Sequence, residues 1–347
     1  MTIFKIGKIR VKTIIRIFVL NIIYSLNYQS YAQSCQCKTQ FEFVYSHIET
    51  NNPAYQVLKN DTSRLKKYHS IKEELLEKSA HMTEIDTCLQ LINKYINSIG
   101  DHHTGLFLNK PLNNQDTSIV GNNFLFKELK PNIAYLKIST FSRAYFPNLN
   151  LFYDSVLPCI EKYPYIILDL RYNGGGSDEG WHRLLPIIYT NKFQTDKVDF
   201  WASEDNIEHY EKNKILPEAV LNKLNKQATN SFYTMDKGRI SSFGISKILE
   251  NPKKIIILQN RKVASAAEDF ILLTLQSKKV ITIGENTGGY TGYGNVHSIY
   301  TPDKLFILNC TTTKYHNGSK YEFVGISPMF YLKNESDWIE ASIQYCN

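Results

Sequence analysis

The feature that most limits how this chain can fold is an apolar run, Tyr165–Leu170, that leads directly into Asn173-Gly174-Gly175-Gly176. A strand without polar alternation is typical of a parallel sheet that is covered on both faces. Further apolar runs predict strands near residues 134–138, 254–258, 280–283 and 305–308. A helical pattern over residues 146–163 lies between the strand at 134–138 and the apolar run Tyr165–Leu170. Strands that alternate with helices predict an α/β core.

Two regions flank or interrupt this core. Apolar residues recur at helical spacing from about Phe41 to Ile99, and Gly100 ends the pattern, which predicts a small N-terminal helical domain over residues 33–100. Residues 101–347 then form the core. A polar, charged stretch at about 193–251 predicts a helical insertion that lies over the core as a lid.

The first 32 residues are typical of an export signal. Five basic residues precede a short apolar run, Ile17–Leu26, and Ser30-Tyr31-Ala32 offers the small residues that a signal peptidase reads. The alternative is a membrane anchor, but the apolar run is short for a span. We therefore expect a cleaved signal and a periplasmic or secreted protein without stable membrane insertion.

Signal cleavage also changes how the charge is interpreted. It removes five basic and no acidic residues, so the formal charge falls from +7 to +2. The remaining charge gives no reason to expect a nucleic-acid partner.

Six cysteines in an exported chain allow disulfides. Cys35 and Cys37 are too close to bridge each other easily, and one of them is expected to pair with Cys88 or Cys346.

Ser265 is the candidate nucleophile. It lies among small residues in Val263-Ala-Ser-Ala-Ala-Glu268, between a predicted strand and a predicted helix. Small neighbours leave room for a substrate carbonyl, and the first free N–H groups of a helix stabilise an oxyanion. The alternative is an ordinary helix cap, because Ser265-x-x-Glu268 fits a capping box. We interpret Glu268 as a cap and not as a catalytic acid.

Three further segments carry polar groups with catalytic potential. The glycines after Tyr165–Leu170 leave backbone N–H groups bare for a ligand, although an ordinary turn has the same pattern. The segment Gly100-Asp-His-His103-Thr-Gly105 contains a histidine for which three roles are open: general base, solvated loop residue or metal ligand. No third metal ligand is evident. Glu322 is a carboxylate near the end of the core, where a lone glutamate is commonly solvated.

Taken together, these segments resemble the C-terminal-processing (tail-specific) serine peptidases. The motifs that carry the resemblance occur in the family's order: Asp101-x-His103-Thr, Leu168-Asp-Leu-Arg-x-Asn-Gly-Gly175, Ser265-Ala-Ala-Glu, Gly284-x-x-Thr-Gly-Gly289 and Glu322-x-x-Gly-Ile-x-Pro328. The resemblance covers most of the mature chain. It implies a crotonase- and Clp-protease-like core, a spiral of β-β-α units. The short distance from His103 to the Ala134 strand leaves no room for the PDZ domain that many members carry.

The resemblance also distinguishes two kinds of catalytic base. Members with a Ser–Lys pair carry a lysine where this chain has Tyr290. The other branch resembles the tricorn protease core and interphotoreceptor retinoid-binding protein, and its histidine matches His103. In the tricorn core a glutamate that matches Glu322 supports the base through a serine, but His102 stands at that serine's place. Asp101 is the alternative partner.

The resemblance therefore implies a serine peptidase that acts on peptides or proteins without a metal or an organic cofactor. Ser265 attacks, His103 is the general base, Glu322 orients it, and the N–H groups of Ala266 and of Gly174 or Gly175 hold the oxyanion. Two other functions stay open. The chain is alternatively a non-catalytic binding protein on a peptidase scaffold, or an esterase for small acyl groups.

Overall fold

The computed structural model describes residues 35–110, 123–227, 229–332 and 337–346. The export signal that we predict for residues 1–32 lies outside these ranges. No helix in the described ranges is both long enough and apolar enough to span a bilayer.

Four helices form the N-terminal region, as predicted. They run over Cys37–Asn51, Pro53–Leu58, Thr62–Ser79 and Ile85–Ile96. A disulfide between Cys37 and Cys88 joins the first helix to the fourth, which confirms one of the two expected pairings. The apolar faces of these helices share one core with Leu106, Phe306 and Leu308 of the strands beyond. The helices therefore pack directly against the rest of the chain.

Thirteen strands lie in the described ranges: β1 (Gly105–Leu108), β2 (Phe124–Lys130), β3 (Ile133–Ile138), β4 (Tyr165–Asp169), β5 (Phe193–Gln194), β6 (Lys197–Trp201), β7 (Phe232–Lys237), β8 (Ile240–Ser241), β9 (Lys254–Gln259), β10 (Val280–Gly284), β11 (Tyr293–Tyr300), β12 (Phe306–Tyr315) and β13 (Phe330–Tyr331). Six of them form a sheet in the order β13-β10-β9-β4-β3-β2, parallel except for the β2 edge. Helix Phe146–Ile160 connects β3 to β4, and helix Ala266–Thr274 connects β9 to β10.

The central sheet is covered on both faces, as the apolar run of β4 predicts. Ile166 and Leu168 belong to a core with helix residues such as Phe270, whereas Ile167 packs in a second core with Trp338 of the C-terminal helix Trp338–Ile343. Successive side chains of a strand point to opposite faces, so an all-apolar strand requires a cover on each side. The mixed α/β class with a small helical N-terminal region is thus confirmed.

The second sheet holds β1, β12, β6 and β7 in that order, and β11 pairs with β12. The prediction of a helical insertion at 193–251 is only half correct. Helices Glu204–Asn213 and Glu218–Leu224 are present, but β5 to β8 supply the rest of the segment. The reason is tertiary: β6 pairs antiparallel with β12, and Phe200 of β6 then packs against Tyr210. Two very short helices, Glu179–His182 and Leu185–Ile188, precede the insertion.

Candidate active site

Three loops of the predicted site meet at one edge of the parallel sheet. The glycine loop follows β4, the Ser265 turn follows β9, and residues 285–292 follow β10. These strands are neighbours in the sheet and run in the same direction. Their carboxyl ends therefore lie side by side, which is where open α/β sheets bind ligands.

Ser265 occupies a strained turn at the start of helix Ala266–Thr274. Its φ of 57° and ψ of −130° lie in a region that non-glycine residues rarely adopt. Such a conformation costs on the order of 1–3 kcal/mol and persists where the surroundings enforce it. Gly175 is part of those surroundings, since a Cβ at Gly175 would lie 2.9 Å from the Ser265 Cβ. A strained strand-to-helix turn of this type exposes a nucleophilic serine.

The oxyanion candidates differ in whether their N–H groups are free. Gly175 donates its N–H to Asn173 Oδ1 at 2.9 Å, so this amide is already used. Within the described residues, the N–H groups of Gly174 and Ala266 make no hydrogen bond, and neither does that of Gly176, which lines the same cavity as Ala266. Of the two predicted glycines, only Gly174 therefore has an unbonded N–H group, and Gly176 is a further candidate that sequence reasoning did not name.

His103 lines the same cavity as Ser265. Its ring lies edge-on to Tyr290, with ring centroids 5.3 Å apart. Burial lowers the pKa of His103, and the neighbouring His102 acts in the same direction while Asp101 opposes it. The buried Nδ1 makes no hydrogen bond within the described residues, and the ring does not bond to Ser265 Oγ. Catalytic hydrogen bonds of this kind commonly tighten only when substrate is bound.

Asp101 fixes the backbone that carries His103. Its Oδ1 accepts the N–H of His103 at 2.9 Å and that of Thr104 at 3.3 Å. Its Oδ2 accepts hydrogen bonds from Asn52 and Thr311 at 2.9 and 2.6 Å. Within the described residues the Asp101 carboxylate makes no hydrogen bond to the imidazole, and its contacts position the loop that carries His103.

Glu268 confirms the predicted capping interaction and does more than cap. Its Oε2 accepts the N–H of Ser265 at 3.0 Å and that of Tyr290 at 2.8 Å. Its Oε1 accepts the N–H of Gly289 at 2.8 Å and the hydroxyl of Thr287. Burial raises the pKa of this carboxyl, and the four donors oppose that shift. Glu268 thus ties the Ser265 turn to the loop after β10.

Glu322 makes a parallel set of contacts on the histidine side. Its Oε1 accepts the N–H of His102 at 2.8 Å, and its Oε2 accepts those of Thr291 and Gly292 at 3.0 and 2.6 Å. Burial raises the pKa of Glu322 to about 7. The carboxylate does not reach the ring of His103, so it acts on the backbone of the preceding residue. Any orienting effect on the base is therefore indirect.

The loop Gly289–Gly292 links these two carboxylates. Four consecutive N–H groups are divided between them, the first two on Glu268 and the last two on Glu322. Tyr290 adds a ring contact, because it stacks on His102 with centroids 3.8 Å apart and an interplanar angle of 7°. His102 in turn contacts Gly289, whose carbonyl lies 3.1 Å from its Nδ1. The loop therefore sets the spacing between the serine turn and the histidine segment.

The cavity beside Ser265 has a volume of about 690 Å³. The insertion contributes apolar residues to its wall, Phe200, Tyr210, Ile215 and Leu216. Acidic residues also line it, of which sequence reasoning had singled out none: Asp178, Glu179 and Asp269. A signal for Asp269 was present in the sequence, since it follows Ser265 by four residues, about one turn of the predicted helix. No lysine of the described residues lines the cavity.

Metal ligation has no support in the described residues, since no three or more His, Cys, Asp and Glu side chains are arranged to hold an ion. His102, which precedes the candidate ligand His103 in the chain, does not join it in a group that could hold an ion. The His102 ring stacks on the rings of Tyr290 and Phe323.

Comparisons with known proteins identify a peptidase family and a shared fold. The family model for peptidase family S41 matches residues 132–331, more than half of the chain. No curated protein matches the sequence significantly. Among solved structures, mature CPAF has a TM-score of 0.57 at 11% identity, covering 90% of this chain and 96% of its own. A lipoprotein from Streptococcus agalactiae has a TM-score of 0.54 at 17% identity, covering 89% of this chain and 96% of its own.

A third structure, from Parabacteroides merdae, has a TM-score of 0.57 at 18% identity and covers 89% of this chain and 96% of its own. At these identities the three structures show a common fold over nearly the whole chain. That extent includes the N-terminal helices, which lie outside the stretch that the family model matches.

Proposed function

The chain belongs to peptidase family S41, which makes it a serine-type peptidase, and we propose that Ser265 is its nucleophile and His103 its general base. The observation that carries this proposal is the shared cavity. Ser265, in its strained turn, and His103 both line it, together with the unbonded N–H of Ala266. Tyr290 stands where a Ser–Lys peptidase has its lysine, and no lysine of the described residues reaches the cavity.

The hydrolysis proceeds in two stages. His103 accepts the proton of Ser265 Oγ as the oxygen attacks the peptide carbonyl, and it then gives that proton to the leaving amine. The oxyanion is held by the N–H group of Ala266 together with that of Gly174 or Gly176. In the second stage His103 takes a proton from water as the water oxygen attacks the acyl carbon. The bond between that carbon and Ser265 Oγ then breaks, and His103 returns the proton to Ser265 Oγ. The lowered pKa of His103 favours the neutral ring that both stages need at their start.

Glu322 and Glu268 act as positioning residues in this mechanism. Neither carboxylate touches the substrate, because each is occupied by backbone N–H groups of the surrounding loops. Their contacts hold the serine turn and the histidine segment on the same loop, Gly289–Gly292. Pre-organised geometry of this kind lowers the entropic cost of bringing nucleophile and base together.

We also propose that the protein is exported and acts in the periplasm or outside the cell. The basic and apolar pattern of residues 1–32 supports this location. The disulfide Cys37–Cys88 supports it independently, because disulfides persist in oxidising compartments. Its substrates are peptides or proteins.

A serine-reactive fluorophosphonate probe tests the nucleophile and the base. The wild type is expected to be labelled, Ser265→Ala is not, and His103→Ala reduces labelling by at least about a hundredfold. Tyr290→Phe is the matched control, since it keeps the ring against His103 and is expected to change little. A folded wild-type protein that stays unlabelled contradicts the nucleophile, and a damaging Tyr290→Phe contradicts the base.

A digest of a peptide library separates peptidase from esterase. New peptide termini are expected with the wild type and not with Ser265→Ala. Hydrolysis of small esters without any peptide cleavage would favour the esterase alternative.

A further inference from the structure

The cavity wall next to Ser265 carries negative charge that the proposed hydrolysis does not use. Asp269 and Asp178 both line the cavity, one from helix Ala266–Thr274 and the other from the segment after the glycine loop. The N–H of Asp269 donates to the carbonyl oxygen of Ser265 at 3.1 Å, which is the i to i+4 hydrogen bond of a helical turn. A carboxylate therefore lies within one helical turn of the nucleophile.

Asp269 has no cationic partner. Within the described ranges its carboxylate accepts no hydrogen bond and makes no ion pair, although its own backbone N–H donates to Ser265. The charged groups that act on it are all acidic, namely Asp178, Glu268 and Asp196. Burial and these acidic neighbours raise the pKa of Asp269 well above its usual value. This partly accessible carboxyl can therefore form an ion pair with a cation from outside the protein.

The basic side chains of the cavity do not supply that cation. Arg143 is paired with Glu179, with Nη2 and Oε1 3.2 Å apart. Burial raises the pKa of Asp178, and the neighbouring His182 opposes that shift, so Asp178 is partly compensated. Asp269 receives no such compensation, and the inference therefore depends mainly on this residue.

The opposite wall suits the stem of a long side chain. Phe200, Tyr210, Ile215 and Leu216 of the insertion line the cavity that holds the acidic residues. Lysine and arginine side chains bury their methylene stems on apolar surface while the charged end stays with a polar partner. An apolar wall and a carboxylate in one cavity match both parts of such a side chain.

We propose that Asp269, assisted by Asp178, selects a lysine or arginine side chain on the substrate residue that supplies the scissile carbonyl. This inference rests on the proposed role of Ser265 as nucleophile. When the cationic side chain enters, the Asp269 carboxylate forms an ion pair with its ammonium or guanidinium group. No oxidation or reduction is involved.

Peptide binding to the Ser265→Ala protein tests the subsite without hydrolysis. Two peptides are compared, acetyl-Ala-Ala-Xaa-Ala-Ala-amide with Xaa as lysine or as norleucine, which has a similar aliphatic chain without the charge. Calorimetry is expected to show at least about tenfold tighter binding of the lysine peptide, because charge-assisted contacts in a partly buried site are strong.

Adding Asp269→Asn is expected to bring the lysine-to-norleucine ratio close to one. Adding Asp154→Asn is the matched control, because Asp154 is an exposed aspartate outside the cavity, and here the ratio is expected to persist. Equal binding of the two peptides to Ser265→Ala, or a ratio that survives Asp269→Asn, overturns the inference. A melting curve checks the fold of Asp269→Asn, and Asp178→Asn, expected to lower the ratio partially, replaces it if that variant does not fold.

Cleavage of the lysine peptide by the wild type is read separately. Selective binding without cleavage refutes the role of Ser265 and leaves the subsite standing. Cleavage of both peptides at equal rates refutes the subsite and leaves the nucleophile standing.

Discussion

Glu268→Gln is the substitution that most directly tests how the site is held together. The carboxylate accepts three backbone N–H groups, those of Ser265, Gly289 and Tyr290, and the hydroxyl of Thr287. Glutamine keeps the shape but replaces one acceptor oxygen by an NH₂ group. Because donors surround both oxygens, no orientation of the amide satisfies every N–H group.

The magnitude follows from the least damaging orientation of the amide. With the NH₂ group toward Thr287, the N–H of Gly289 loses its acceptor, which costs about 1–3 kcal/mol for a buried donor. The two bonds to Ser265 and Tyr290 pass from a charged to a neutral acceptor and weaken by about 1 kcal/mol each. Relief from burying a charge, visible in the raised pKa of Glu268, offsets part of this loss. We expect a net decrease of about 2–3 kcal/mol in the free energy of unfolding.

Urea denaturation measures this loss, and peptide cleavage measures its effect on the site. Since a small displacement of a catalytic group has a large effect on rate, kcat/KM is expected to fall by at least about tenfold. Glu77→Gln is the matched control, because Glu77 is exposed on helix Thr62–Ser79 and is expected to change neither quantity. The reasoning is refuted if Glu268→Gln unfolds within about 0.5 kcal/mol of the wild type and cleaves at the same rate.

Three further expectations concern the base, the disulfide and the glycine loop. The acid limb of the pH profile of kcat/KM is expected to have its midpoint below 6.5, because burial lowers the pKa of His103 and the neutral ring is the active form; a midpoint above 6.5 contradicts this. Cys88→Ser opens the Cys37–Cys88 bridge, which closes a separation of 51 residues, and is expected to cost about 4 kcal/mol of unfolding free energy in a denaturant titration. Gly175→Ala is expected to cost about 3 kcal/mol, because its Cβ would lie 2.5 Å from a backbone oxygen at a φ of +87°, whereas Gly174→Ala, whose Cβ meets nothing within 4 Å, is expected to leave the melting temperature unchanged.

The sequence predicted four strands of the central sheet, β3, β4, β9 and β10, but not the edge strands β2 and β13. The apolar runs of β4 and β9 are typical of a sheet covered on both faces, and both faces are covered. The insertion was predicted less well. β6 forms by pairing with β12, more than a hundred residues later, and the local pattern of the insertion contains no record of that partner.

For the candidate site, too, the sequence predicted some features and not others. Order and spacing of short motifs led to Ser265, His103 and Glu322 because each residue type carries its chemistry wherever it lies. The partners of Glu322 were not accessible to that reasoning. A carboxylate can contact a ring, a serine or a backbone N–H group, and the choice depends on loops that meet only in the folded chain.

By itself, the sequence determined the α/β class and the helical N-terminal region through side-chain periodicity, and the resemblance of its motifs to a peptidase family gave the candidate residues for acyl transfer. Only the tertiary structure decided how the chemistry is arranged. In the folded chain, Glu268 and Glu322 accept consecutive N–H groups of the loop Gly289–Gly292. The N–H of Gly175 is bonded to Asn173, and Asp269 lines the cavity. The physical reason is that hydrogen-bond partners and burial are set by segments far apart in the chain, which compete for the same few buried donors and acceptors.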